Sequence, residues 1–285
     1  MANDLRDIRK RIRSIDKTQK ITRAMKMVSA AKFNRATNAV VAARPYAAKI
    51  QEVIAAVSSG LDPEVHPLLV TREPVRRLEI VVFTSDRGLC GSFNANIIKR
   101  AEALIARRRP ELEAVTVVAV GKRGLDHFRR NVSGEVGHSW TGIARVTQDD
   151  AREIAEYLME RYREGKSDEV LLVYSRFVSA LSQEPVDQLL LPVCPAVATS
   201  PVRYEMEPGP EPLLGLLIPR AVEFAVFRAL LENQAGEHGA RMTAMDNATK
   251  NTEELIRTFT LDYNKARQAA ITAELVEVVS GAEAL

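Results

Sequence analysis

Two long segments at the ends of the chain have helical apolar spacing and almost no helix-breaking residue, and this feature most constrains the fold. Over residues 3–57 the only internal proline is Pro45, and residues 220–280 contain none. The N-terminal segment opens with apolar residues three and four positions apart, at Leu5, Ile8, Ile12 and Ile15. This spacing places them on one side of a helix. Fifty-odd helical residues span about 80 Å, far more than a typical globular helix.

Each terminal helix carries one apolar stripe that can be buried on the other. After an offset at Thr18–Gln19, the N-terminal stripe is predicted to resume at Ile21, Met25, Val28 and Ala31. The C-terminal stripe is predicted at Met245, Ala248, Thr252, Leu255 and Phe259. Matching the stripes predicts an antiparallel coiled coil with the pairs Ile8–Phe259, Ile12–Leu255 and Met25–Met242.

The middle of the chain alternates short β-branched runs with helical stretches. The predicted strands are Leu78–Thr84, Val115–Val120, Val170–Ser175 and Val186–Leu191. The predicted helices are Phe93–Arg108, Arg123–Asn131 and Gln148–Arg163. This order predicts a small Rossmann-like parallel-sheet domain inserted between the terminal helices. The expected fold class is therefore α/β, with an N-terminal helix at 1–57, the sheet domain at 75–206 and a C-terminal helix at 212–285.

Composition excludes several classes of protein. No run of eighteen apolar residues occurs, so no direct membrane span is expected. The charged start is not a secretory signal, and two cysteines cannot form a disulfide framework. Residues 1–50 hold thirteen Lys or Arg against three Asp, a charge of 13 − 3 = +10. Such a basic element suits nucleic acid, an anionic membrane surface or an acidic protein.

No catalytic or cofactor-binding constellation is evident. The loop 84–94, TSDRGLCGSFN, lies where phosphate-binding loops occur, but its glycine spacing matches no such motif, so a structural turn is favoured. Cys90 lies near a helix start without a nearby base, which is more typical of a packed thiol than of a nucleophile. The four histidines lack metal-ligand spacing. We expect no catalytic residue, cofactor or metal.

Two surfaces suggest a protein partner. Lys20, Arg23, Lys26 and Lys32 lie in a stretch without any acid, so their counter-charge is predicted to come from a partner. In the stretch 266–281, apolar residues occupy most sides of the helix. A helix that is apolar nearly all round is normally buried, and one antiparallel partner cannot cover every side.

Four blocks, taken in order and spacing, resemble the signature segments of the gamma subunit of F-type ATP synthases, bacterial type. They are ITRAMKMVSAAKF at 21–33, TSDRGLCGSFN at 84–94, ARMTAMDNATKNTEELI at 240–256 and LDYNKARQAAITAELVEVVSGA at 261–282. The resemblance covers about residues 3–285. The chain lacks the extra segment with paired cysteines of chloroplast members, so thiol regulation is not expected.

The resemblance implies a non-catalytic central-stalk rotor subunit, one copy per complex, peripheral on the cytoplasmic face of the bacterial inner membrane. Its implied partners are the ring of alpha and beta subunits, the epsilon subunit and the membrane rotor ring. The resemblance places partner-contacting residues toward the alpha and beta ring: Met25, Lys26, Asp86, Arg87, Cys90, Arg241, Arg267, Gln268, Thr272 and Glu274. The basic Lys20 and Arg23 are added to that set on the charge argument.

Two other classes stay open on the sequence alone. A nucleic-acid-binding coiled coil would explain the basic segment, but it needs stacking aromatics or a known reading motif. An enzyme built on the parallel-sheet domain would show turnover by the pure chain.

Overall fold

The computed structural model describes residues 2–58, 62–130, 135–179, 182–195, 207 and 209–283. Two helices account for both ends of the chain: α1 at Ala2–Ser58 and α5 at Pro210–Glu283. Both long helices predicted from the sequence are confirmed, and α5 begins two residues before the predicted limit at residue 212. It contains Pro219, and α1 contains Pro45. The outer limits of the predicted domains at Met1, 196–206 and 284–285 lie outside the described residues.

Between these helices the chain alternates strands and shorter helices. The strands are β1 (Arg77–Phe83), β2 (Ala114–Val120), β3 (Glu135–Trp140), β4 (Glu169–Phe177) and β5 (Gln183–Leu191). The helices are α2 (Phe93–Arg108), α3 (Lys122–Phe128) and α4 (Gln148–Arg163), with short 3-10 turns at Pro63–Val65 and Arg109–Glu111. The predictions for α2 and α4 match to the residue. β3 was not predicted.

The five strands form one sheet in the order β3-β2-β1-β4-β5. All neighbours are parallel except β4 and β5, which pair antiparallel. The continuous apolar runs of β1, β2 and β4 are buried, as the sequence indicates for strands covered on both faces. The predicted Rossmann-like sheet is therefore confirmed.

The chain divides into two compact units, and each contains part of both long helices. One unit joins α1 up to Ser29 with α5 from Arg241 onward; the other is Ala30–Ala240. The three domains expected from the sequence follow the two terminal helices and the sheet region, and that division stays a prediction.

In the unit Ala30–Ala240, side chains pack on both faces of the sheet. Ile80 and Val82 of β1 pack with α2 residues, whereas Val81 and Phe83 belong to a cluster with α4 and with α5 between Leu214 and Leu230. Where α5 crosses the sheet its backbone comes close, because a Cβ on Gly236 would meet Phe93 and Ser175 at 3.1 Å. Within this unit α1 also pairs with α5, through a cluster of Ala36, Val40, Ala43, Leu231 and Ala235.

Candidate functional site

In the unit of α1 up to Ser29 and α5 from Arg241, the two helices meet along a seam of regular spacing. Among the less exposed α1 residues, one set recurs at intervals of three and four: Leu5, Ile8, Ile12, Ile15, Gln19, Thr22, Lys26 and Ser29. A matching set recurs on α5: Met242, Met245, Thr249, Thr252, Ile256, Phe259, Tyr263 and Ala266. We call these residues the seam. A 3-4 repeat sustained on both helices is the pattern of a coiled coil.

Three side-chain contacts fix the register of the seam. Arg9 donates to Tyr263, Thr22 and Thr249 share a hydrogen bond of 2.8 Å, and Lys26 donates to Asp246 at 2.5 Å. The paired residue numbers add to 272, 271 and 272. A constant sum means that the helices run antiparallel, as predicted.

The predicted register is wrong by four to five residues. The pairs Ile8–Phe259, Ile12–Leu255 and Met25–Met242 each add to 267, more than one helical turn away from the observed sum. Leu255, which was expected in the seam, is 47% exposed. In the observed register Ile12 lies level with Phe259 instead.

The error arises at the middle of the seam, which is polar. The predicted offset at Thr18–Gln19 is absent, because the 3-4 repeat continues without interruption through Gln19, Thr22, Lys26 and Ser29. Ile21 and Val28, which were expected in the stripe, are 60% and 58% exposed instead, and Ala31 is exposed as well. An apolar strip therefore lies on the outer face of α1.

The basic segment has a mixed electrostatic environment. Lys20 pairs with Asp16 at 2.9 Å, one turn earlier on α1. Lys26 pairs with Asp246, whose pKa is lowered by the hydrogen bonds from Lys26 and Lys250. The expectation that a partner supplies the counter-charge is therefore wrong for these two lysines. Arg23, Lys32 and Arg35 are exposed and have no acidic side chain within ion-pair distance in the described part of the chain.

The loop after β1 is held by its own side chains. Asp86 Oδ1 accepts a hydrogen bond from the Lys122 backbone N–H and Asp86 Oδ2 from that of Gly142, both at 2.9 Å. Cys90 is buried and contacts Asn94 Nδ2 at 3.2 Å. Arg87 and Leu89 are exposed, and Leu89 adopts a φ of 63°, which is unusual for a leucine.

The predicted partner-contacting residues fall into three groups according to their exposure. Lys20, Arg23 and Arg87 are exposed on the helix and loop, and Arg267, Gln268, Thr272 and Glu274 are exposed on the last turns of α5. Met25, Lys26 and Asp86 are half-buried, and the last two have partners within the chain. Cys90 and Arg241 are buried, Arg241 with 8% exposure, so neither presents its side chain to a partner here.

The end of α5 is apolar and uncovered. Ile271, Leu275, Val276, Val278 and Val279 are each at least half exposed. The seam explains this, because the constant sum of about 271 places Leu5 level with Ala266. Beyond Ala266 the described residues of α1 offer little to pack against.

Sequence reasoning missed Asp246 and Thr249, the polar partners of α1 across the seam. Thr249 lies on the 3-4 interval counted from Met245 and Thr252, whereas Asp246 lies beside Met245, one residue off that interval, so a search for apolar residues alone passes over both.

The described residues contain no group of three or more His, Cys, Asp or Glu side chains placed to hold a metal ion. Among the helices that the structure describes, none has the length and apolar character to cross a membrane.

The chain is similar to known proteins along nearly its whole length. A family model described as ATP synthase matches residues 4–285. The ATP synthase gamma chain of Moorella thermoacetica is 51% identical over 283 residues, covering 99% of both chains. That of Chlorobium phaeobacteroides is 44% identical over 290 residues, covering 99% of this chain and 98% of its own.

The chain is also similar to solved structures of ATP synthase chains. A chain in the central stalk and c-ring structure of Tetrahymena thermophila mitochondrial ATP synthase is 27% identical, with a TM-score of 0.62; the match covers 80% of this chain and 99% of that one. A chain in the rotor of Euglena gracilis mitochondrial ATP synthase has a TM-score of 0.67 over 95% of this chain and all of its own. At 21% identity that second likeness concerns the fold alone.

Proposed function

This chain belongs to the ATP synthase gamma-chain family, and from that membership we propose that it is the rotating central shaft of the complex. In this role it couples proton-driven rotation of a membrane ring to conformational cycling of the subunits that make ATP. It also works in reverse, when ATP hydrolysis drives proton pumping. The observation that supports the proposal most directly is the seam, since two long helices in antiparallel register form a stiff element able to carry torque.

The proposed role is mechanical, and the catalytic chemistry belongs to the partner subunits. The residues that the structure describes include no metal-binding group of His, Cys, Asp or Glu, and the one candidate phosphate loop is closed by its own hydrogen bonds. A shaft requires instead a surface that biases its neighbours without locking to them.

The exposed charges suit that requirement. Arg23, Lys32 and Arg35 on α1 are available to acidic side chains of the alpha and beta ring. Contacts between exposed charges are weak and screened by salt, so they can form and break as the shaft turns. The exposed apolar end of α5 is proposed to lie inside the same ring.

The remaining partners follow from the family. We propose that the epsilon subunit and the membrane rotor ring bind the unit that contains the sheet, with one copy of this chain in each complex. The complex then holds the chain at the cytoplasmic face of the bacterial inner membrane.

A rotation assay tests the shaft directly. The chain is assembled with alpha and beta subunits from its own organism, and the head is fixed to a surface. Cys194 is exposed whereas Cys90 is buried, so a biotin-maleimide should label Cys194 and attach a bead there. We expect the bead to rotate in one direction when ATP is added. The variant Cys194→Ser is the control for bead attachment.

Two results would overturn the proposal. One is a stable assembly that hydrolyses ATP while the attached bead stays still. The other is ATP hydrolysis that remains with the pure chain after every other subunit has been removed.

A further inference from the structure

The outer face of α1 carries a line of positive side chains near the start of the helix. They recur at intervals of four, three, four and three residues, and all are exposed: Arg6, Lys10, Arg13, Lys17 and Lys20. This spacing places them on one face of the helix, over an axial length of about 21 Å. The seam residues of the same stretch, such as Ile8 and Ile12, lie on the side turned toward α5. We call the five exposed cations the basic stripe.

The basic stripe is poorly compensated within the chain. Lys10 lies 3.9 Å from Asp7, and Lys20 lies 2.9 Å from Asp16, in two surface pairs. In the described part of the chain, no acidic side chain lies within ion-pair distance of the other three cations of the stripe. Like charges three or four residues apart destabilise a helix. An external partner with negative charges would relieve this repulsion.

Two of the three kinds of anionic partner fit this surface poorly. Every apolar residue of α1 from Leu5 to Lys20 belongs to the seam, so none is left beside the stripe to enter a membrane. The helix contains no aromatic residue before Phe33, so α1 offers no ring beside the stripe for a nucleic-acid base to stack on. These observations favour an acidic protein, recognised by its charge.

The spacing of the stripe favours an α-helix as the part of that protein that binds. Successive cations lie about 5 Å apart along the axis, which is the separation of residues three or four positions apart in any α-helix. Acidic side chains at the same intervals on a second helix can therefore meet the cations one by one. We propose that the basic stripe docks an α-helix of another polypeptide whose acidic side chains follow this three-and-four spacing.

This docking is separate from the ring contacts proposed for Arg23, Lys32 and Arg35, and it concerns the free chain whether or not that chain turns. Its strength depends on salt, because each exposed ion pair contributes little and mobile ions screen it. Its specificity comes from the match of the two spacings, which a test must separate from the effect of net charge.

Two synthetic peptides separate spacing from net charge. Both are alanine-rich, about twenty residues long so that they can form a helix, and both contain as many glutamates as the stripe has cations. In one peptide the glutamates follow the three-and-four spacing; in the other they are spread around all sides of the helix. Fluorescence anisotropy measures their binding to the full-length chain at low ionic strength. We expect the spaced peptide to bind at least about fivefold more tightly, and physiological salt to weaken it by about tenfold.

Two double variants locate the binding surface. Arg13→Glu with Lys17→Glu reverses the centre of the stripe and should weaken the spaced peptide by at least about tenfold. The matched control, Lys32→Glu with Arg35→Glu, makes the same change of charge at exposed positions of the same helix and should leave binding unchanged. Thermal unfolding is recorded for each protein. If the reversed stripe fails to fold, Arg13→Gln with Lys17→Gln takes its place and should weaken binding by a smaller factor.

Three results would overturn the proposal. Equal binding of the two peptides would mean that net charge alone attracts them. Binding that survives the change at Arg13 and Lys17 would place the peptide elsewhere on the chain. A DNA duplex or a phosphatidylserine vesicle that binds more tightly than the spaced peptide, and that is lost in the same variant, would assign the stripe to nucleic acid or to a membrane.

Discussion

Gly121 ends β2 at a point where the chain leaves no room for a side chain. Its φ is 102°, and a Cβ placed on it would lie 2.3 Å from the carbonyl oxygen of Thr84. Gly142 has a similar φ of 83° but open space around it. A substitution at Gly142 therefore tests the cost of a positive φ alone, whereas one at Gly121 adds a steric clash.

We expect Gly142→Ala to lower the free energy of unfolding by about 1 kcal/mol, because only the unfavourable positive φ is added. Gly121→Ala should cost at least twice as much, because the backbone of Thr84 must also move. Urea denaturation of both variants measures the difference. Equal losses would mean that the strand end relaxes without cost.

Glu79 is a fully buried carboxylate on the central strand. Arg161 donates to its Oε1 at 2.7 Å. Burial raises the pKa of Glu79 above its usual value, and the charge of Arg161 only partly opposes this. The folded chain therefore holds the Glu79 proton more tightly than the unfolded chain does.

The stability that comes from this proton is complete below the ordinary pKa of about 4.5 and is lost as the pH rises through the raised value. Glu79→Gln resembles the protonated form at every pH. We expect its free energy of unfolding, relative to the unchanged chain, to grow as the pH rises from 4.5 and then to level off. The control Glu113→Gln alters an exposed glutamate and removes only its surface ion pair with Arg76, so its effect should stay below about 1 kcal/mol. A flat difference for Glu79→Gln would contradict the argument.

At the scale of elements, the register of the seam is open to a direct test. The constant sum places Ile12 level with Phe259, whereas Leu255 lies outside the seam. In a Cys194→Ser background, cysteines at 12 and 259 should form a disulfide several-fold faster than cysteines at 12 and 255. Only facing positions bring the Cβ atoms within reach of an unstrained bond. Faster crosslinking of the second pair would restore the register expected from the sequence.

A pair of threonine hydroxyls lies in the seam, and its effect on the free energy of unfolding can be tested. Thr22 and Thr249 share a hydrogen bond, and each hydroxyl also contacts a carbonyl of its own helix. Replacing both by valine removes the two partners together, so the free energy of unfolding should change by less than about 1 kcal/mol. Either single valine leaves the other hydroxyl able to donate to the carbonyl of its own helix, so each single change should also cost less than about 1 kcal/mol. A double-mutant cycle measures this coupling, and simple additivity would show that the pair does not interact.

The same elements show what the sequence could and could not foresee. Long apolar repeats and β-branched runs report burial directly, so α2, α4 and the strands β1, β2 and β4 were predicted closely. Strand β3, EVGHSW, lies at the sheet edge with no fully buried residue, so nothing in its apolar pattern marks it. In the seam, Thr22 is buried and Lys26 half-buried, and their polar groups are satisfied there because Thr249 and Asp246 face them. That information lies in the other helix.

The predicted partner-contacting residues differ in exposure for a similar reason. A family pattern gives positions, and it cannot tell whether a side chain at such a position already has an intrachain partner. Asp86 and Lys26 have such partners, whereas Arg23 is exposed without an acidic partner in the described chain.

At the scale of the whole molecule, the last turns of α5 should contribute little to the stability of the free chain. Their apolar side chains, from Ile271 to Val279, are exposed. A chain that ends after Arg267 should keep its free energy of unfolding within about 0.5 kcal/mol, as surface changes generally do. A chain that ends after Glu254 also loses Ile256, Phe259 and Tyr263 from the seam, and it should be several kcal/mol less stable. A large loss in the first truncation would mean that the tail packs on its own chain.

The constant sum of paired residue numbers limits how the gene for such a chain can change in length. One codon inserted between Leu5 and Ser29 would rotate every later layer of α1 by about 100° and turn apolar side chains outward. A deletion in α5 between Met242 and Ala266 would do the same on the other side. Only matched changes of seven codons in both helices preserve the layers, and two such events seldom coincide. Selection should therefore hold the lengths of both seam segments fixed among relatives, and insertions and deletions should accumulate between Ala30 and Ala240.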